Sequence, residues 1–131
     1  MKKLLLLFFA IVLFGCSSNP SQDDGLSVAV NVIRKSNSEN YIRLISFKKL
    51  NGSELEINGQ KVYKMDFDAE VEVINNCEYN DRFYARAPQP RAPLQFYWEP
   101  TKQPGYKSKF NDVIVFQKTE NGWLGPDGEV Y

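Results

Sequence analysis

The chain has 131 residues, with 16 lysines and arginines, 16 aspartates and glutamates, and no histidine. That length suits one domain rather than two. Charge neutrality argues against a nucleic-acid binder, and the lack of histidine removes the commonest general base and transition-metal ligand.

Lys2 and Lys3 precede the apolar run LLLLFFAIVLFG (residues 4–15) and then Cys16. A basic start, a short apolar run and a small residue before the join make a secretory signal, whereas a spanning helix needs ~20 apolar residues. The join Leu13-Phe14-Gly15-Cys16 resembles the lipobox of bacterial lipoproteins. That resemblance implies an acylated (palmitate-type) Cys16 as the new N-terminus. Residues 1–15 hold two lysines and no acid, so 14 basic and 16 acidic residues remain, a net charge of −2. Acyl chains then supply membrane attachment, for which two or more suffice. Cys77 is left without an intrachain partner and is expected to be a small buried hydrophobe. One free cysteine also leaves no ligand set for a usual structural zinc site.

Residues 16–25 are polar and turn-rich, as in a flexible tether. Gln22-Asp23-Asp24 loosely resembles the acidic export tags of some surface lipoproteins, although linker composition explains it equally well. Residues 26–35, LSVAVNVIRK, fit both periods. Leu26, Val28, Val30 and Val32 alternate as in a strand, while Leu26, Ala29, Val30 and Ile33 share a helical face. The need to cover a sheet favours a short helix, capped by Asp23 or Asp24. Residues 41–50 read as a strand ended by Asn51-Gly52, and Asn58-Gly59 signals a second turn, with 54–57 as a short ribbon or the top of an irregular hairpin between them.

Residues 61–75, KVYKMDFDAEVEVIN, form the most legible element. Tyr63, Met65, Phe67, Ala69, Val71 and Val73 fall on one side, and Lys64, Asp66, Asp68, Glu70 and Glu72 on the other. Pairing with 41–50 about a centre near residue 55 would set Phe47 opposite Tyr63 and Ile45 opposite Met65. Ile42 and Leu44 would then lie on the acidic face. A one-residue slip or a bulge would reverse that assignment. The carboxylate column reads as a solvated face cross-paired with lysines such as Lys48, Lys107 or Lys109, with cation binding or catalysis as alternatives.

Residues 78–107 carry five prolines, which bar a central strand, and a set of aromatic residues. Phe96, Tyr97, Trp98 and Tyr106, with Arg86 and Arg91 nearby, form a candidate platform for a glycan, peptide or envelope protein. The competing reading is that the rings fold back into the core. Residues 109–118 return to strand, with 113–116 continuously apolar as in a central strand. Asn121-Gly122 makes a tight turn, Trp123 anchors the core beneath it, and Gly125-Pro126-Asp127-Gly128 turns again.

YIRLISFKKLNG, KVYKMDFDAEVEVINNC and VFQKTENGWLGPDGEVY together resemble a group of small bacterial envelope lipoproteins. The resemblance covers roughly residues 26–77 and 109–131 and implies a cystatin-like or NTF2-like α+β fold, with a helix packed on a curved antiparallel sheet of about four strands. It transfers no catalytic residue and no cofactor. The long insertion at 79–107 departs from the pattern. The expectation is a single domain over 26–131 behind a signal peptide (1–15), lipid-anchored in the cell envelope and non-catalytic. A small carboxylate-dependent hydrolase or isomerase is the alternative.

Overall fold

The computed structural model describes residues 18–80, 82–89 and 101–131. Helix α1 (Gln22–Lys35) begins at a capping box. The Ser21 hydroxyl accepts from the Asp24 amide at 3.2 Å, and the Asp24 carboxylate accepts from the Ser21 amide at 2.7 Å. Two otherwise orphaned donors are thereby satisfied, which offsets the low helix propensity of three valines. Asp23 and Asp24 in the first turn and Arg34 and Lys35 in the last complement the helix dipole. The expected helix is present, but it starts at Gln22 rather than Leu26. Residues 22–25 therefore belong to the domain and not to the tether, and the cap is Ser21 rather than either aspartate. Gly25, Val28, Ala29 and Ile33 form its buried face.

A short 3-10 turn, Ser38–Asn40, leads into β1 (Ile42–Ile57), which pairs antiparallel with β2 (Gln60–Val73). Asn58 (φ 52°) and Gly59 (φ 79°) close this hairpin in left-handed conformations, the signature of a primed two-residue turn. The strand is thus not ended by Asn51-Gly52, and 54–57 are not a separate ribbon but the top of the bulged hairpin, the other expected arrangement. Gly52 instead lies opposite Met65, where a Cβ would overlap the Tyr63 hydroxyl.

With the turn at 58–59, Phe47 faces Ala69, not Tyr63, and Ile45 does not pair with Met65. Register shifts between Leu44 and Ser46 and between Lys49 and Asn51 leave Ile45 and Leu50 as extra residues. Each bulge moves the alternation by one. Ile42 opposite Val73 and Leu44 opposite Val71 are thereby returned to the buried side rather than the acidic one.

The two-residue strands β3 (Glu78–Tyr79) and β4 (Ala85–Arg86) form a separate ribbon. The main sheet is completed by β5 (Lys107–Thr119) and β6 (Gly122–Leu124) in the order β1-β2-β5-β6, all antiparallel. The protein is therefore α+β, with one helix and a four-stranded antiparallel sheet among the described residues. The apolar run 113–116 does lie in an interior strand, yet only Ile114 and Phe116 are buried; Val115 faces out.

The core fills the space between α1 and the inner sheet face. Phe67 stacks on Phe47 at 4.9 Å and on Phe83 at 5.8 Å, with Phe110 edge-on to both Phe67 and Phe83. Trp123 is buried beneath the β5–β6 turn beside Tyr63, as its position in the turn predicts. Cys77 is buried, and burial pushes its thiol pKa up.

The closing segment is tied down twice. Trp123 and Tyr131 exchange backbone hydrogen bonds of 2.9 Å. Asp127 is 7% exposed and accepts from the Tyr131 hydroxyl at 2.5 Å and from the Asn31 amide at 2.9 Å, while Lys35 donates to its carbonyl.

Candidate functional site

Two surfaces follow from this architecture. The first is the outer face of the sheet. Asp66, Asp68, Glu70 and Glu72 occupy successive outward positions of β2, at spacings of about 6.6 Å. Their neighbours on β1 are Asn51, Lys48, Ser46 and Arg43, and on β5 Val113, Asn111, Lys109 and Lys107. Each of the last three carboxylates therefore has a basic residue directly across a strand, as the column's pattern leads one to expect. Arg43 grips Glu72 through both Nε and Nη2. Ser46, Lys48, Asp68, Glu70, Lys109 and Asn111, with Ala69 and Phe110 below, line an open depression of about 460 Å³. Among the described residues no three His, Cys, Asp or Glu side chains converge as a metal-binding group.

The second surface is the end of the domain from which the proline-rich insertion departs. Its outgoing limb is built into the core: Tyr79 and Phe83 are buried, and Ala85 is bonded in both directions to the buried Ser38 hydroxyl, at 2.9 and 3.2 Å. Arg86 pairs with Glu78 at 2.7 Å, and the Gln89 amide donates to the same carboxylate. Arg82 is ion-paired with Asp112 of β5.

The returning limb is pinned to the same place. Cys77 and Lys102 exchange backbone hydrogen bonds of 3.1 and 2.8 Å, and Val73 bonds both Gly105 and Tyr106. Of the candidate binding residues, Tyr106 lies here. It is 38% exposed, edge-on to Tyr79 at 6.4 Å, with the Lys102 ammonium 4.4 Å from its ring centre. That is cation–π geometry, which leaves an aromatic ring and a cation side by side at the surface. Arg91, Phe96, Tyr97 and Trp98 lie outside the described residues, as does Cys16.

Compared with known protein families, curated proteins and solved structures, the chain finds no match.

The competing fates of the insertion's aromatic residues are thus divided by position. Tyr79 and Phe83 complete the core, while Tyr84 and Tyr106 remain outside it. Sequence reasoning missed Lys102 as the partner of Tyr106. Its only signal is position, between Pro100 and Pro104, where the chain must return to the sheet. Ser46, Asn111 and Phe110 were equally unmarked, because their convergence depends on a register set by two bulges.

Proposed function

We propose that this is a lipid-anchored protein of the bacterial cell envelope, attached to the outer membrane through Cys16. Its single domain acts as a non-catalytic binding or assembly module. The observation that carries the anchor is the junction Leu13-Phe14-Gly15-Cys16 after its basic and apolar lead. Among the described residues no helix is long and apolar enough to cross a membrane, and acylation supplies attachment without one. The helix laid across an antiparallel sheet supports a cystatin-like or NTF2-like assignment.

The contact surface is the proline-rich insertion. Its two limbs are held at one end of the fold by the Cys77–Lys102 pairing, where Tyr106 and Lys102 lie side by side, and Tyr97 and Trp98 belong to the stretch of sequence between those limbs. The partner is an envelope protein or a glycan. The test is a cross-linked pull-down from native membranes. Wild type is compared with Trp98→Ala and with a variant in which a short Gly-Ser linker replaces residues 87–101. Both variants are expected to keep the fold and lose the partner. Equal recovery by all three would exclude the insertion as the contact surface.

The depression beside Asp68 and Glu70 favours a second reading, a small carboxylate-dependent hydrolase or isomerase. Under that reading Asp68→Asn and Glu70→Gln abolish turnover of chromogenic glycosides. The first reading predicts no turnover by wild type either.

A further inference from the structure

We propose that the margin formed by edge strand β1 and the first turns of α1 rests on the bilayer, with Leu50 and Leu26 in the interfacial layer. The proposal rests on the lipid-anchored reading and adds to it an orientation and a membrane-contact surface.

The fold takes hold of the chain at Pro20, which is buried. The Pro20 carbonyl accepts from the Lys49 ammonium at 3.0 Å, and the Gln22 side chain accepts from the Lys49 amide at 3.2 Å. The entry point is therefore fastened to the middle of β1, the free edge of the sheet. Cys16 lies four residues before Pro20. At 3.3–3.6 Å per residue that stretch reaches at most about 14 Å. A domain of this size has a radius of gyration of about 13 Å and so a diameter at least twice the leash. An acylated Cys16 therefore keeps the β1 margin close to the lipid. The opposite edge, β6, stands three strand spacings further off, roughly 14 Å.

The side chains on that margin fit such a position. Both bulges of β1 present their extra residue as an exposed apolar side chain: Ile45 is 43% and Leu50 50% exposed. Bulges at sheet edges re-aim side chains and twist the edge away from pairing. On the helix, Leu26 and Val30 follow Gln22 at i+4 and i+8 and so lie on the face that meets β1; they are 39% and 37% exposed. Gly25 packs against Phe47, and Gln22 bonds Lys49, so α1 runs back along β1. Scattered exposed apolar residues need no explanation, but these four share the margin at which the anchor enters. The cations of β1 are matched within the fold, Arg43 by Glu72 and Lys48 by Asp68 across the strand pair, so the contact is apolar and does not depend on anionic lipid.

The test uses the full acylated protein in vesicles of phosphatidylethanolamine and phosphatidylglycerol containing a lipid-borne nitroxide quencher. An environment-sensitive fluorophore is attached at Leu50→Cys, Leu26→Cys or Val130→Cys. Val130 is exposed and pairs with Leu124, beyond the opposite edge. Cys77 is buried and does not compete for label. Labels at positions 50 and 26 are expected to shift to the blue and lose fluorescence to the quencher, while the label at 130 keeps it, at low and high salt alike. Equal quenching at 50 and 130, or none at either, in protein whose mass shows an acylated Cys16 would overturn the orientation alone. An unacylated Cys16 would overturn the anchored reading and the orientation with it.

Discussion

Asp127 shows how one buried carboxylate ties together distant parts of the chain. Burial alone would push its pKa up. The hydrogen bonds from Tyr131, Asn31 and the Glu129 amide together outweigh that and hold it below the ordinary value of 3.8. A carboxyl group depressed in the folded state stabilises the fold above its unfolded pKa, and that contribution is lost as pH falls through the folded value. Acid unfolding of wild type below about pH 4 should therefore be shallower in Asp127→Asn, measured by urea midpoints across pH. At pH 7 the same variant should lose about 1.5–3 kcal/mol, as expected for a hydrogen bond to a charged group. Tyr131 titrates the opposite way: its hydroxyl is raised by burial and by Asp127, so its contribution persists through neutral pH and is lost only in strong alkali. Gly25 offers a steric counterpart. A Cβ there would sit 2.6 Å from the Met65 sulfur and 2.9 Å from the Phe47 ring. Ala is favoured over Gly in a helix by ~1 kcal/mol, yet overpacking costs about 1–3 kcal/mol. Gly25→Ala should thus lower the denaturation midpoint despite the better propensity. Neither effect was legible in the sequence, since each needs a partner far along the chain.

Among the elements, β2 was the most legible, because strict alternation over its whole length leaves one solution for which face is buried. The hairpin with β1 was legible as a pair of strands but not in register. Two turn signals, Asn51-Gly52 and Asn58-Gly59, compete in the sequence, and only Tyr63 packed over Gly52 decides between them. Helix α1 was ambiguous by periodicity, and the capping box at Ser21 and Asp24 resolves it. Ser21→Ala should accordingly cost ~1 kcal/mol, seen as a lower midpoint with an unchanged m-value. The Ser38 hydroxyl joins the 3-10 turn to β4 where no sequence pattern links them. Ser38→Ala leaves the Ala85 amide buried and unpaired, at a cost of about 1–3 kcal/mol. Hydrogen exchange at Ala85 should accelerate along with the β3–β4 ribbon, ahead of β2 and β5.

At the scale of the molecule, the four-stranded sheet and covering helix were anticipated, whereas the way both limbs of the insertion are fastened to the domain was not. Proline and aromatic content alone gave no sign of it. The fastening is made by Phe83 stacking on Phe67 and by Lys102 bonding Cys77. Cys16→Ser is expected to move the protein from the membrane pellet to the soluble fraction without changing its thermal midpoint, because the fold begins at Pro20.

The Cys77–Lys102 bridge also separates two kinds of change available to this chain. Since the span it closes begins and ends at one fixed point, lengthening that span costs only ~0.6 kcal/mol per doubling. On the proposed function, the sequence between Gln89 and Thr101 could therefore change in length and chemistry, and the partner with it, while the residues that build the sheet stay as they are.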